Sequence, residues 1–154
     1  MDPSLPAKIA ASTHEIFSTM VMMDVTSQEP RRQGVNTLTN SVTGMVGIAG
    51  ARKGMLAIHV PNGLAMAITS SFLGMDVTDI SEDVQDAVGE MANMLGGNVK
   101  ALLSESGSDI QLSLPSIVFG EEYSFQQHSD HDVICIPFSS ASGDFTVELQ
   151  MSRS

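Results

Sequence analysis

The chain has 154 residues, 42% hydrophobic and 16% charged, which suits one globular domain with a real core and excludes general disorder. Eighteen Asp and Glu against 7 Lys and Arg leave a net charge of −11, which disfavours nucleic acid and anionic lipid as partners. The single cysteine, Cys135, excludes an internal disulfide and a cysteine-based zinc site.

The stretch Met1–Pro6 has no basic segment followed by a long apolar run, so no signal peptide is expected. Gly, Thr, Ser or Pro interrupts every strongly apolar stretch well short of a membrane span. These features lead to the expectation of a cytoplasmic chain with no membrane insertion.

Residues 7–23 predict a first helix, with Ile9, Ile16, Phe17, Met20 and Met23 at helical spacing just after Pro6. Residues 24–36 are polar and read as loop. Two β-type runs follow, Leu38–Ala49 and Met55–Val60, joined as a hairpin by Gly50-Ala51-Arg52-Lys53-Gly54. Pro61-Asn62-Gly63 is expected to end that hairpin before a second helix, Leu64–Leu73, which closes at Gly74. Ser81 is the expected N-cap of a third helix that runs to about Leu103, with Glu82 and Asp83 at the positive end of its dipole. Four further β-type runs are expected at about 108–114, 121–128, 132–139 and 144–151. No linker or repeat divides the chain, so it reads as one domain over 1–154 with a core of about 8–150. The fold class is α+β, with helices packed on a largely antiparallel β-sheet.

The third helix carries the chemistry. On a wheel at roughly 100° per residue, Val84, Val88, Met91, Leu95, Val99 and Leu102 form one apolar stripe. Asp86, Glu90, Asn93 and Gly97 share the opposite line, flanked by Gly89, Ala92 and Gly96. Three glycines inside one helix each cost about 1 kcal/mol relative to alanine. A solvated helix face with packing glycines would account for this pattern. So would a flat surface that lets a partner's backbone approach Glu90 and Asn93. Asn is a poor helix former, and its amide both accepts and donates hydrogen bonds, which suits holding a water.

The segment Asp86-Ala-Val-Gly-Glu90-Met-Ala-Asn93, followed by Met-Leu-Gly-Gly, resembles the Asp/Ser-x3-Glu-x2-Asn signature of the CheC/CheX/FliY phosphatases. Thr43-Gly44-Met45-Val46-Gly47, the Ala65–Gly74 helix and Leu114-Pro115-Ser116 extend the likeness over about residues 8–150. CheC-like members carry a second signature in the first helix. Here that stretch reads Glu15-Ile-Phe-Ser18, with Ser in place of Asn, so the likeness is to the CheX branch. The pattern departs at Pro115, which sits slightly earlier than the family's proline.

This resemblance implies a chemotaxis phosphatase that hydrolyses the aspartyl phosphate of a CheY-type response regulator. Asn93 would position the attacking water and Glu90 would contact the regulator's active-site lysine. Asp86, Gly89, Gly96 and Gly97 would make up the partner-facing surface. No cofactor of the chain's own is implied, because Mg²⁺ belongs to the regulator. A homodimer joined through the sheet is implied as well. The alternative is a non-catalytic module of the same fold that binds a receiver domain or a flagellar-switch component.

Other candidates carry less. His128-Ser-Asp130-His131-Asp132 reads as a polar turn, and no metal site is expected there. The glycines at 44, 47, 50 and 54 open no helix and lack the Lys-Ser/Thr of a P-loop. Cys135 lies in an apolar strand pattern and reads as a buried thiol. The 11 methionines read most simply as core filler, with an adaptable docking rim around the third helix as the other reading, and His14 and His59 show no pattern.

Overall fold

Three helices pack on one face of a seven-stranded antiparallel sheet in a computed structural model that describes residues 2–153. Helix α1 (Leu5–Ile16) continues as a π-helical turn, Phe17–Val21, which closes on Met22 in the left-handed region at φ 58°. There follow β1 (Val25–Ser27), β2 (Thr37–Gly50), β3 (Gly54–Pro61), α2 (Asn62–Leu73) and α3 (Glu82–Leu103). The chain ends with β4 (Ile110–Leu112), β5 (Ser116–Ser124), β6 (His131–Ser140) and β7 (Gly143–Ser152). The sheet order is β1-β6-β7-β3-β2, and two strands share the outer edge of β2. There β5 pairs with the span Thr37–Met45, and β4 pairs with Ile48–Gly50.

The α+β class and the antiparallel sheet agree with the sequence, while several boundaries differ. The polar stretch 24–36 contains β1, paired with Phe138–Ser140, and an isolated bridge from Arg31 to Cys135. Such short edge pairing comes from tertiary contact and leaves no periodic trace. The expected strand at 121–128 is instead β5, several residues earlier. It is an edge strand whose Val118 and Phe119 stay 40% and 46% exposed, so alternation does not mark its limits. The expected run at 108–114 shrinks to β4. Pro61 passes directly into α2 at φ −65°, and Asn62 and Gly63 form its first turn rather than a separate turn. Backbone N–H groups are unpaired in any first turn, so these weak helix formers cost little there. Gly74 closes α2 in the left-handed region at φ 68°, as expected.

Helix α3 lies across β2. Val84, Val88, Met91, Leu95 and Val99 are fully buried. Leu102 is the exception to the expected stripe: it is 37% exposed, and Leu103 packs on the core in its place. A wheel assigns a face, but burial also needs a neighbour to cover it, and the last turn has few. Two glycines set the helix-to-sheet distance. A Cβ on Gly44 of β2 would stand 3.0 Å from the Val88 carbonyl oxygen and 3.2 Å from the Ala92 Cβ. A Cβ on Gly96 of α3 would stand 2.7 Å from the Val46 Cγ2.

The opposite face of the sheet carries a buried polar network. The Thr43 hydroxyl lies 2.9 Å from His59 Nδ1 and 2.7 Å from the Tyr123 hydroxyl. His59 Nε2 is 3.2 Å from the Glu148 carboxylate. That carboxylate also accepts from Gln150 at 2.7 Å and from the Val35 N–H at 3.0 Å. Phe125 sets its edge against the His59 ring, with centroids 4.7 Å apart. Gly34 lies so close to the carboxylate that any side chain there would collide with it.

Burial alone would raise the Glu148 pKa. The hydrogen bonds from His59, Gln150 and Val35 outweigh it and hold the carboxyl below its ordinary value of 4.5. A depressed folded pKa adds stability above the ordinary value, and that stability is lost as pH falls through the folded value. Glu148→Gln is expected to cost about 1–3 kcal/mol at neutral pH, because it weakens the charge-assisted hydrogen bonds that buried donors make to the carboxylate. It should also lose part of the wild type's acid sensitivity, which urea unfolding at neutral and acidic pH would measure.

Candidate functional site

Helix α3 starts where the sequence places it. Ser81 has extended backbone angles, φ −93° and ψ 179°, and its carbonyl accepts from the Val84 and Gln85 N–H groups at 3.1 Å. Its hydroxyl makes no capping bond, so the acidic first turn of Glu82 and Asp83 is what complements the dipole. The helix is then held by packing on β2, α1 and α2.

The outward line forms a ridge. Asp86, Glu90, Asn93 and Gly97 are all exposed. Among the described residues, no side chain hydrogen-bonds or ion-pairs with Asp86, Glu90 or Asn93, so all three are free to meet an incoming molecule. Gly97 is bare, with nothing within 4 Å of where its Cβ would stand.

The other two glycines of the expected surface behave differently. Gly89 is buried, 3.4 Å (by its would-be Cβ) from Ile117 Cδ1 and 3.7 Å from Pro115. Its missing side chain opens a groove of about 320 Å³ lined by Gln85, Asp86, Glu90, Pro115 and Ile117. Pro115 therefore forms one wall beside Glu90. Gly96 points inward against Val46 and lies off the exposed line, which corrects its place on the partner-facing surface. Its role is to bring the helix backbone down onto β2. On the other flank of the ridge, a groove of about 330 Å³ runs between α2 and α3.

A larger cavity of about 470 Å³, lined by Gln33, Asn36, Phe125, Gln126 and Gln127 among others, holds no ionisable side chain and lies on the other face of the sheet. In the His128–Asp132 turn, Asp132 pairs with Arg153 at 3.0 Å, and the His128 and His131 rings lie 4.8 Å apart. Among the described residues, no three His, Cys, Asp or Glu side chains converge as a metal site. Burial pushes the Cys135 thiol up to about 11, with the Glu148 charge adding to it and Arg31 opposing it. That thiol stays protonated at neutral pH and makes a poor nucleophile.

The comparisons with known proteins fall on this same architecture. Residues 42–139 match the family model described as chemotaxis phosphatase CheX. This chain belongs to the CheX family. A CheX crystal structure from Desulfovibrio desulfuricans superposes with a TM-score of 0.85 at 32% identity, covering 97% of this chain and 99% of that one. The CheY-P phosphatase CheX of Thermotoga maritima is 22% identical over 123 residues, 79% of each chain. A CheX crystallised with CheY, BeF3 and Mg²⁺ from Borrelia burgdorferi shares the fold, with a TM-score of 0.77 at 16% identity, covering 96% and 97% of the two chains.

The sequence did not reveal the groove walls contributed by Phe72, Leu73, Pro115 and Ile117, because they come from other elements. His59 also gave no pattern, although a histidine inside the apolar run Met55–Val60 demands a buried partner. In this CheX-family chain the two adjacent glycines of α3 should respond oppositely to alanine. Gly97→Ala is expected to stabilise by up to about 1 kcal/mol through helix propensity. Gly96→Ala is expected to destabilise, since overpacking costs about 1–3 kcal/mol and offsets that gain. Paired denaturant titrations measure both.

Proposed function

We propose that the chain hydrolyses the aspartyl phosphate of a phosphorylated CheY-type receiver by docking the α3 ridge into the receiver's active site. The observation that carries this reading is the pairing of Glu90 and Asn93. Both are exposed and, among the described residues, unpartnered, and they sit one turn apart on a helix whose other face is buried from Val84 to Val99. The name of the Thermotoga relative and the CheX–CheY complex from Borrelia support a receiver as substrate.

Phosphoryl transfer passes through a loose transition state, so positioning and electrostatics do most of the catalytic work. A neutral amide suits that task. Asn93 accepts from and donates to the attacking water and adds no negative charge beside the phosphoryl oxygens. Glu90 supplies a negative charge as an anchor for the receiver's active-site lysine. The BeF3 and Mg²⁺ of the Borrelia complex fit a division in which the receiver holds the metal. Gly97 keeps the next turn of the ridge low. The setting is the cytoplasm, where receivers work, and no helix among the described residues is long and apolar enough to cross a membrane.

A homodimer joined through the sheet belongs to the same reading. Strand β5 pairs with β2 along one edge, and its other edge has no strand against it among the described residues. With Val118 and Phe119 exposed beside it, that edge is suited to pair with a second copy. Light scattering at micromolar concentration should give a dimer for the wild type and a shift toward monomer for Phe119→Asp. A monomeric wild type would remove the dimer from this reading.

Asn93→Ala is expected to lower receiver dephosphorylation by about 10²–10³-fold while leaving receiver binding nearly intact, as for a lost transition-state hydrogen bond. Glu90→Gln is expected to weaken association as well, with the larger loss at low salt. Equal rates for the wild type and Asn93→Ala at matched concentration would end the catalytic assignment.

A further inference from the structure

The groove between α2 and α3 has two unlike walls. Thr69, Phe72 and Leu73 come from α2, and Asp83, Asp86, Ala87 and Glu90 come from α3. Positions 83, 86, 87 and 90 recur at three- and four-residue spacing, so they share the side of α3 that faces α2. Three carboxylates thus stand on successive turns of one wall. All three are exposed, and among the described residues none has an ion-pair or hydrogen-bond partner. The opposite wall is apolar: Phe72 is half-buried, Leu73 is 45% exposed, and Met75 just beyond is 63% exposed. No Lys, Arg or His lines the groove.

Few side chains satisfy both walls. An acidic occupant would be repelled, and a purely apolar one would strip water from carboxylates and return nothing. A lysine or arginine fits, because its methylene stem lies along apolar surface while its cationic head meets the carboxylates. The groove is also continuous with the ridge, since Asp86 and Glu90 line both flanks. At a 1.5 Å rise per residue, Asp86 and Asp83 lie about 10 and 15 Å along the helix from Asn93.

We propose that this groove is a specificity subsite that takes a lysine or arginine side chain from the docking face of the receiver, separate from the active-site lysine that meets Glu90. The inference rests on the function proposed above and names the part of the surface that selects the partner. One anchor at Glu90 leaves the receiver free to pivot about the ridge. A second cationic contact two turns toward the helix N-terminus removes that freedom as the complex forms, so its contribution goes to docking and is read in KM. The same carboxylates steer a receiver with a basic docking face toward the ridge. Receivers lacking a basic side chain at that distance from their phosphorylated aspartate would be poor substrates.

The test is steady-state dephosphorylation of a phosphorylated CheY-type receiver by the full chain. The comparison uses the wild type, the double variant Asp83→Asn/Asp86→Asn, Leu73→Ser, and Asp144→Asn as an exposed carboxylate elsewhere. Thermal melts of each variant confirm folding. The expected result is a KM raised by about tenfold in the double variant and by about threefold in Leu73→Ser, with kcat within about twofold of wild type. The salt dependence of kcat/KM should flatten in the double variant, and Asp144→Asn should match wild type. An unchanged KM and salt slope in both groove variants would overturn the subsite. So would a fall in kcat at constant KM. Titration of the beryllofluoride-loaded receiver onto these variants in an Asn93→Ala background reads docking without hydrolysis. Retained hydrolysis by Asn93→Ala would therefore fall on the catalytic assignment, and unchanged affinity in the groove variants would fall on the subsite.

Discussion

The structure turns on the close approach of α3 to β2. A helix backbone and a strand backbone cannot come this near if side chains stand between them, and Gly44 and Gly96 remove those side chains from opposite partners. The Val88 carbonyl then lies over Gly44, and Val46 reaches the helix backbone at Gly96. Both contacts lie on the side of α3 that carries Val88, Ala92, Leu95 and Val99. The rotation of the helix about its axis is thereby fixed. Turning by one residue, about 100°, would carry apolar side chains into water and Asn93 toward the core.

That fixed rotation needs a strand that does not give way, and β2 is held from its other face. Neighbouring positions on β2 point to opposite sides of the sheet. Gly44 therefore faces α3, while Thr43 faces the network of His59, Tyr123 and Glu148. Those partners come from β3, β5 and β7, so one set of hydrogen bonds ties four strands together beneath the helix. The stretch between β1 and β2 joins the network through the Val35 N–H, and Arg31 in the same stretch bridges to Cys135 of β6. A polar, charged second face is costly to bury, but every member here has a partner, which makes such a network rigid.

The legible part of the molecule follows from this arrangement. A long helix with one face buried writes its period into the sequence, so α3, its boundaries and the outward line of Asp86, Glu90, Asn93 and Gly97 could be read directly. Strand β5 could not, because an edge strand half open to solvent is not forced to alternate. Nor could the direction of Gly89 and Gly96: a wheel places them beside the ridge, and only the neighbours Ile117, Pro115 and Val46 show that both are covered. The grooves on either flank were invisible for the same reason, since each takes one wall from α3 and the other from a distant stretch of chain. His59 marks the further limit. Its meaning lies in Thr43 and Glu148, 16 and 89 residues away in sequence.

A ridge is an unusual place for catalysis, since most sites are concave. The chemistry proposed here explains the shape. The aspartyl phosphate and its metal lie in the receiver, so the concavity belongs to the substrate and the catalyst must be the part that enters it. On the proposed chemistry such a catalyst has to be narrow, free of bulky neighbours and rigid, because it would bring only a carboxylate and an amide and gain its effect by placing them. The low surface at Gly97 would serve the first two needs. The clamp of α3 on β2 would serve the third, because a water must be held to well under an ångström for an in-line attack to profit from it. The same glycine chemistry thus acts twice on one helix: buried at Gly96 it sets the position of the ridge, and exposed at Gly97 it leaves the next turn of the ridge bare.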